Sequence, residues 1–442
     1  MEPAQMERRP ARVVLHFSLP AICSMLLTAL VTVADGLFIG NYVGKQGIAA
    51  VNLGLPLIYL FLGVGLMAAV GGAALAGMAL GRGDTKEARR AFCQTAATAG
   101  VLAAATAGLV LVFLEPLLGL FGAAGAAAPV RAACGLYYRI RLPELVVMVL
   151  NSAFGIFVRA EGRPGFALGA TAAHAGANLL LDAVLVAGLG LGMAGAALAS
   201  VLASLCGLGL YLWYFARRAR VFRLGRAAFS GAFLRQSLAN GFSELVGELS
   251  TGIAMFAYNL VILQLAGADG VTAFTIVGYA AYLFNMVVVG FGQGSSPLIS
   301  FCVGAGRLAL AGRLRRVTAR LATGAGAALF CLTWAFAVPC GRLFVRSGPV
   351  LELIGQGAGL FALSFLLSGF NALTSFYFTA AGRAAESAAI SLARGLVVLL
   401  GCILLLPRLW GMTGVWLAAP VTEGLTLLLS LGCLRREAGR RG

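Results

Sequence analysis

Twelve apolar stretches, each of about the length that crosses a bilayer, divide this chain. They run at roughly 13–38, 49–80, 92–115, 133–158, 166–188, 194–215, 235–265, 271–303, 318–340, 351–380, 388–406 and 412–434. A membrane-spanning helix needs about 20 apolar residues. Only 11% of the 442 residues are charged and 60% are hydrophobic, whereas soluble domains run near half apolar and a quarter charged. With 16 carboxylates and 33 basic residues, a water-soluble globule could not cover its surface. The expected fold is an all-α integral membrane protein of twelve transmembrane helices. The first stretch is too long for the apolar region of a signal peptide and is expected to be the first of those helices.

The net charge of +17 does not point to nucleic acid, because the basic residues sit in short clusters between apolar runs. Alternate connections hold 25 of the 33 Lys and Arg, among them Arg8, Arg9, Arg12, Arg82, Lys86, Arg89, Arg217, Arg218, Arg226, Arg313, Arg316, Arg440 and Arg441. The other set holds Lys45, Arg131, Arg139, Arg141, Arg342, Arg346 and Arg408, with Arg394 near a helix. The positive-inside rule then places both termini in the cytoplasm, which an even number of spans allows.

The chain also repeats. A shift of 223 residues aligns Gly44-to-Arg90 with Gly267-to-Arg313, including Tyr59-Leu60-Phe61 with Tyr282-Leu283-Phe284. Ala160-x-Gly162-Arg163 returns as Ala380-x-Gly382-Arg383, and Gly192-Met193-x-Gly195 as Gly411-Met412-x-Gly414. Six spans separate the copies, so both halves enter the membrane the same way and are related by an axis along its normal. The expected organisation is an N-lobe at 1–216, a basic cytoplasmic linker at 217–234 and a C-lobe at 235–442. Two six-helix lobes facing across a cleft form a transporter's architecture.

Ionisable groups at membrane depth are costly and mark function by default. The candidates are Asp35, Glu144, Asp182, Glu244, Glu248 and Glu423, with His174. His174, Asn178 and Asp182 recur every four residues on the fifth stretch and therefore line one stripe. A carboxylate with a neutral oxygen a turn away suits a hard cation such as Na⁺, and the same carboxylate serves equally as a proton site. The alternative for Asp35 and Asp182 is interhelical hydrogen bonding. Glu244 and Glu248, one turn apart, repel when both are charged, which fits a proton or a cationic substrate. Glu144 follows Pro143 close to Arg141 and is expected in a local pair near the membrane interface; Glu423 is left unassigned. Tyr258, Tyr279, Tyr282, Phe284, Met255 and Met286 on the seventh and eighth stretches would suit bulky lipophilic cations, or simply pack.

Several other patterns carry no chemistry. Gly190-x-Gly192-x-x-Gly195 lies in a short turn with no strand before it, and Gly40-x-x-x-Gly44-Lys45 is one residue short of a phosphate-binding loop. The nine cysteines contain no C-x-x-C pair, so neither a zinc site nor a disulfide framework is indicated. With two histidines, no histidine-based catalytic site is expected. Without a nucleotide site, transport runs passively or on an ion gradient.

These features together resemble the multidrug and toxic compound extrusion (MATE) family. The resemblance spans essentially the whole chain. It is carried by Pro20 with Val33-Ala-Asp-Gly-Leu-Phe-Ile-Gly40, by Ala49-Ala-Val-Asn-Leu-Gly-Leu-Pro56 and by Phe157-Val-Arg-Ala-Glu-Gly-Arg-Pro164. Asn178-x-x-x-Asp182 and Gly292-Gln-Gly-x-x-Pro-Leu-Ile-Ser-x-x-x-Gly-Ala305 complete it. The resemblance implies two six-helix lobes in a V and export of drugs coupled to inward Na⁺ or H⁺. It implies an N-lobe cation site at Asp35, Asn178, Asp182 and Ser200, the last a Ser where Thr is more usual. Na⁺ would sit at Asp35, Asn178 and Asp182. Some branches use a carboxylate on the seventh helix, which Glu244 or Glu248 would supply; His174 and Gln293 complete the substrate or proton candidates. His174 has no clear counterpart in the family pattern. The expected protein is thus a non-enzymatic monomer of the cytoplasmic membrane, working among lipids on small lipophilic, cationic substrates, with no cofactor beyond the coupling ion. The alternatives are a lipid-linked or polysaccharide flippase, which would want an arginine-lined cleft, and a membrane enzyme, which would want a clustered catalytic set.

Overall fold

The computed structural model describes residues 3–122, 125–225 and 229–439. Arg226 of the linker and Arg440 and Arg441 lie outside the described residues. Every regular element among the described residues is helical.

Among the described residues, twelve spans are present once the helical runs are divided at their breaks. Span 1 is Pro10–Tyr42; span 2 is Lys45–Leu53 and Leu55–Gly81, joined at Gly54. Spans 3 and 4 are Thr85–Val112 and Ala128–Ala160. Span 5, Pro164–Asp182, widens into a π turn at Ala183–Gly188, and span 6 is Gly192–Arg217. Helical hydrogen bonding then continues over 74 residues, Gly231–Gly304. At the α-helical rise that would be about 110 Å, several bilayer thicknesses. The run breaks at Gly267, with φ 58°, into span 7 (231–266) and span 8 (268–304). Span 9 is Leu308–Phe344, and span 10 joins Gly348–Ala362 to Ser364–Ala380 through a 40° bend. The run Ala384–Gly439 breaks at Gly411, with φ 56°, into spans 11 (384–410) and 12 (412–439).

The helices overrun the apolar stretches at their arginine-bearing ends. Span 3 starts at Thr85, capped by Asp84, whose side chain accepts from the Glu87 N–H at 2.8 Å. Span 9 starts at Leu308 rather than 318, so that Arg313, Arg315 and Arg316 are helical. Hydropathy marks the membrane, whereas helical hydrogen bonding continues into water where polar side chains and caps support it.

The repeat has a backbone cause. Gly44 and Gly267, Gly83 and Gly306, Gly162 and Gly382, and Gly192 and Gly411 are matched pairs in sequence, and all eight adopt positive φ. Each closes a turn between spans in a conformation that residues bearing a Cβ disfavour.

Two sets of spans form separate apolar clusters. Phe92, Phe154, Phe157, Phe215 and Phe222 centre the one built from spans 2 to 6 together with Ile39 of span 1. Phe284, Phe361, Phe365 and Trp416 centre another, built from spans 8, 9, 10 and 12 together with Ile22 of span 1. Between span 2 and spans 7 and 8, and between spans 1 and 8, glycines let backbones touch, as small residues do in membrane bundles. A Cβ on Gly71 would stand 2.0 Å from the Ser237 carbonyl oxygen, and one on Gly241 would stand 1.9 Å from that of Met67. Gly81 meets Phe301, Gly304 meets Met78, and Gly294 and Gly290 meet Ser18 and Ile22. These approaches run from the arginine-bearing ends of spans 2 and 8 to the level of Tyr59 and Gly252. The bundle is therefore closed at that end.

Candidate functional site

Asp35 lies about 10 Å, two helical turns, short of the Tyr42 end of span 1. Its carboxyl lies close enough to that of Asp182, across the span 1–span 5 contact, for the two to interact electrostatically. Span 5 brings Asn178 onto the same face one turn away, as its four-residue spacing requires. Asp182 and Asn178 are each 1% exposed. Both Asp182 oxygens, one Asp35 oxygen, the Asn178 Oδ1 and the His174 Nδ1 are buried without a protein hydrogen-bond partner. Buried polar atoms are almost always satisfied, so five such atoms along one face of span 5 and the facing part of span 1 mark a place built to receive something. Ser200, on span 6, is 4% exposed and its hydroxyl donates to the Ala196 carbonyl at 3.1 Å. Its oxygen keeps a lone pair, and among the described residues it makes no hydrogen bond to either carboxylate. Among the described residues no three His, Cys, Asp or Glu come together as a metal cluster. A site of two carboxylates and an amide suits a proton or a weakly held alkali cation rather than a tightly bound transition metal.

Span 4 adds a group that was expected at the membrane interface. Arg141 Nε pairs with Glu144 at 3.1 Å, with Glu144 buried and Arg141 largely so, 6% and 14% exposed. Arg141 also donates to the Tyr137 hydroxyl, and the other Glu144 oxygen accepts from Ser204 at 3.2 Å. The pair is local, i to i+3, but it lies inside the bundle, and Arg141 acts electrostatically on both Asp35 and Asp182. The sequence held the signal: both residues lie well inside the fourth apolar stretch. Counted with the loop arginines, Arg141 was placed in the wrong class.

The remaining candidates lie elsewhere. Glu248 of span 7 stands beside Tyr59 of span 2 and Tyr282 of span 8, the two tyrosines that the repeat matches. Its Cβ lies 3.2 Å from where Gly63 would carry one, so Glu248 belongs to the meeting face of the two halves. Glu244 is one turn nearer the arginine-bearing end. Tyr258 and Phe284 are buried in packing, while Met255, Tyr279 and Tyr282 are 51%, 52% and 42% exposed. Gln293 is away from Asp35: its Oε1 accepts from Arg159 Nη2 at 2.7 Å, joining spans 4 and 8 within the closed interface. Glu423, unassigned from sequence, pairs with Arg394 at 2.6 Å.

Comparison with known proteins agrees with this architecture. A family model described as MatE matches residues 20–184 and 245–404. The chain is 22% identical over 426 residues to the multidrug export protein MepA of Staphylococcus haemolyticus, covering 95% of this chain and 92% of that one. The Staphylococcus aureus MepA is 22% identical over 436 residues, covering 96% and 94%. Among solved structures, an outward-facing multidrug resistance MATE family transporter superposes with TM-score 0.90 at 21% identity, covering 98% and 97% of the two chains. A MOP superfamily transporter from Pyrococcus furiosus, reported with reversed polarity of its binding pocket and a suggested different function, superposes with TM-score 0.89 at 21% identity, covering 97% and 96%. Fold alone therefore does not choose a substrate.

Proposed function

The chain belongs to the MatE family of membrane transporters, and from that membership we propose that it exports small lipophilic, cationic compounds by alternating access, in exchange for Na⁺ or H⁺. The observation that carries the reading is the facing pair Asp35 and Asp182, with oxygens that no protein donor satisfies. With Glu144 and Arg141 beside them, three carboxylates share one guanidinium. Entry of one cation or proton lowers the mutual repulsion and lets span 1 settle against span 5.

Span 1 transmits that change. Its first half packs on span 8, where Ser18 and Ile22 meet Gly294 and Gly290. Its second half carries Asp35 to span 5. Within the first half, between Ser18 and Ile22, Pro20 interrupts the helical ladder, with Ser24 donating to the Pro20 carbonyl at 2.9 Å. A move of the outer half is thus felt at the closed interface. Such coupling requires the cation to prefer one of the two states. Glu248 with Tyr59 and Tyr282 supplies carboxylate and aromatic faces for an organic cation. The arginine-bearing end is assigned to the cytoplasm by the positive-inside rule, which puts the opening outside. The working unit is taken as a monomer in the cytoplasmic membrane.

The test is accumulation of a fluorescent lipophilic cation in a host stripped of its own exporters. The wild-type chain lowers accumulation. Asp35→Asn reaches the membrane in equal amount but leaves accumulation as in the empty host; accumulation lowered as by the wild type would refute the assignment.

A further inference from the structure

The C-lobe holds a buried charged cluster outside the proposed coupling site. Glu423 of span 12 takes Arg394 Nε at 2.6 Å on one oxygen and Asn371 Nδ2 at 2.7 Å on the other. Asn371 Nδ2 also donates to the Glu423 carbonyl at 2.8 Å. The repeat places this cluster. Shifts of 219 to 220 residues carry Asn151, His174 and Ser204 onto Asn371, Arg394 and Glu423. The backbone bond is shared, because Asn151 Nδ2 donates to the Ser204 carbonyl at 2.9 Å. The two lobes thus have the same interior scaffold, with a titratable His on one side and a permanent cation on the other.

Spans 10, 11 and 12 converge on Glu423, so Arg394 points into the lobe. Asn371 is fully buried and Glu423 is 8% exposed, whereas the Arg394 side chain keeps 31% exposed. Its Nε is committed to Glu423, which leaves the terminal fork as the accessible part. Arg394 lies in a π turn, Ala393–Val397, a deviation that recurs at functional positions. The Asn371 Oδ1 beside it is buried and unpartnered. The next residue, Gly395, packs on Ser250, which sets span 11 against span 7.

We propose that Arg394, held by Glu423 and Asn371, is a substrate-recognising residue in the C-lobe that receives the carboxylate of zwitterionic amphiphiles. A guanidinium fork matches a carboxylate in geometry and charge. The proposal rests on the export reading for its physiological meaning, but binding tests it separately.

The probes are a rhodamine carboxylic acid and its methyl ester, equal in aromatic body and differing in the carboxylate. Their binding to purified protein is followed by fluorescence polarisation, for the wild type and for the charge-balanced pair Arg394→Gln with Glu423→Gln, which leaves no lone buried charge. The acid is expected to lose at least about tenfold in affinity, as loss of a charge-assisted pair implies, with the ester little changed. Equal losses for both probes would show a packing clamp and overturn the proposal. So would an unchanged acid affinity, or a wild type that does not bind the acid. Wild type that binds the acid through Arg394 but exports neither dye from proteoliposomes would overturn the export reading and leave this one standing.

Discussion

Replacing Gly241 by Leu is expected to bring efflux to background while the protein still inserts in the membrane. A Cβ at this position would sit 1.9 Å from the Met67 carbonyl oxygen. Carbon and oxygen in contact need about 3.5 Å, and a backbone carbonyl within a helix cannot swing aside. Spans 2 and 7 must therefore separate, and the end sealed by Gly71, Gly81, Gly290, Gly294 and Gly304 cannot close. A transporter that cannot close one end cannot complete its cycle. Gly247→Ala on the same span is the control, since nothing lies within 4 Å of a Cβ there, and its efflux should match the wild type. Spin labels at Arg82→Cys and Arg307→Cys, in a background without the exposed Cys23, Cys206, Cys331 and Cys340, read the geometry. They should move apart in Gly241→Leu. Wild-type efflux from this variant would show that closure at this end is not required.

The second large effect concerns the cluster beside Asp35. Arg141→Met removes the one guanidinium shared by Glu144, Asp35 and Asp182. Breaking a buried pair by removing one partner costs about 3–5 kcal/mol, whereas replacing both by apolar residues of similar size is often near neutral. The single variant should therefore unfold several degrees lower in detergent, and Arg141→Met with Glu144→Leu should recover most of the loss. The comparison is read as thermal midpoints of purified protein at fixed detergent and salt. A single variant as stable as the wild type would mean that Arg141 is solvated and not part of the cluster.

The sequence made some features of this molecule legible and hid others for identifiable reasons. The spans were readable because burial in lipid demands long apolar runs, and the repeat because its turns need glycine at positive φ, as at Gly44 and Gly267. The stripe of His174, Asn178 and Asp182 followed from helical period alone. Its approach to Asp35 depends on how span 1 lies on span 5, which periodicity does not encode; family resemblance supplied it. Arg141 escaped notice because counting basic residues for topology treats every arginine as a loop residue. Arg394 with Glu423, and Arg159 with Gln293, are contacts between distant segments; the latter pair is separated by 134 residues. A tight pair of this kind leaves no local trace in the sequence. The helix 7 carboxylates were legible as candidates, but only the lie of spans 2 and 8 shows Glu248 between Tyr59 and Tyr282.

The central claim is that the carboxylates facing each other at spans 1 and 5 couple an ion gradient to export. The most direct measurement is efflux of a fluorescent lipophilic cation from proteoliposomes, with a Na⁺ gradient and a proton gradient imposed in separate experiments. The account predicts that one gradient accelerates efflux and that Asp35→Asn abolishes the acceleration. Efflux indifferent to both gradients, or acceleration that survives in Asp35→Asn, would contradict it.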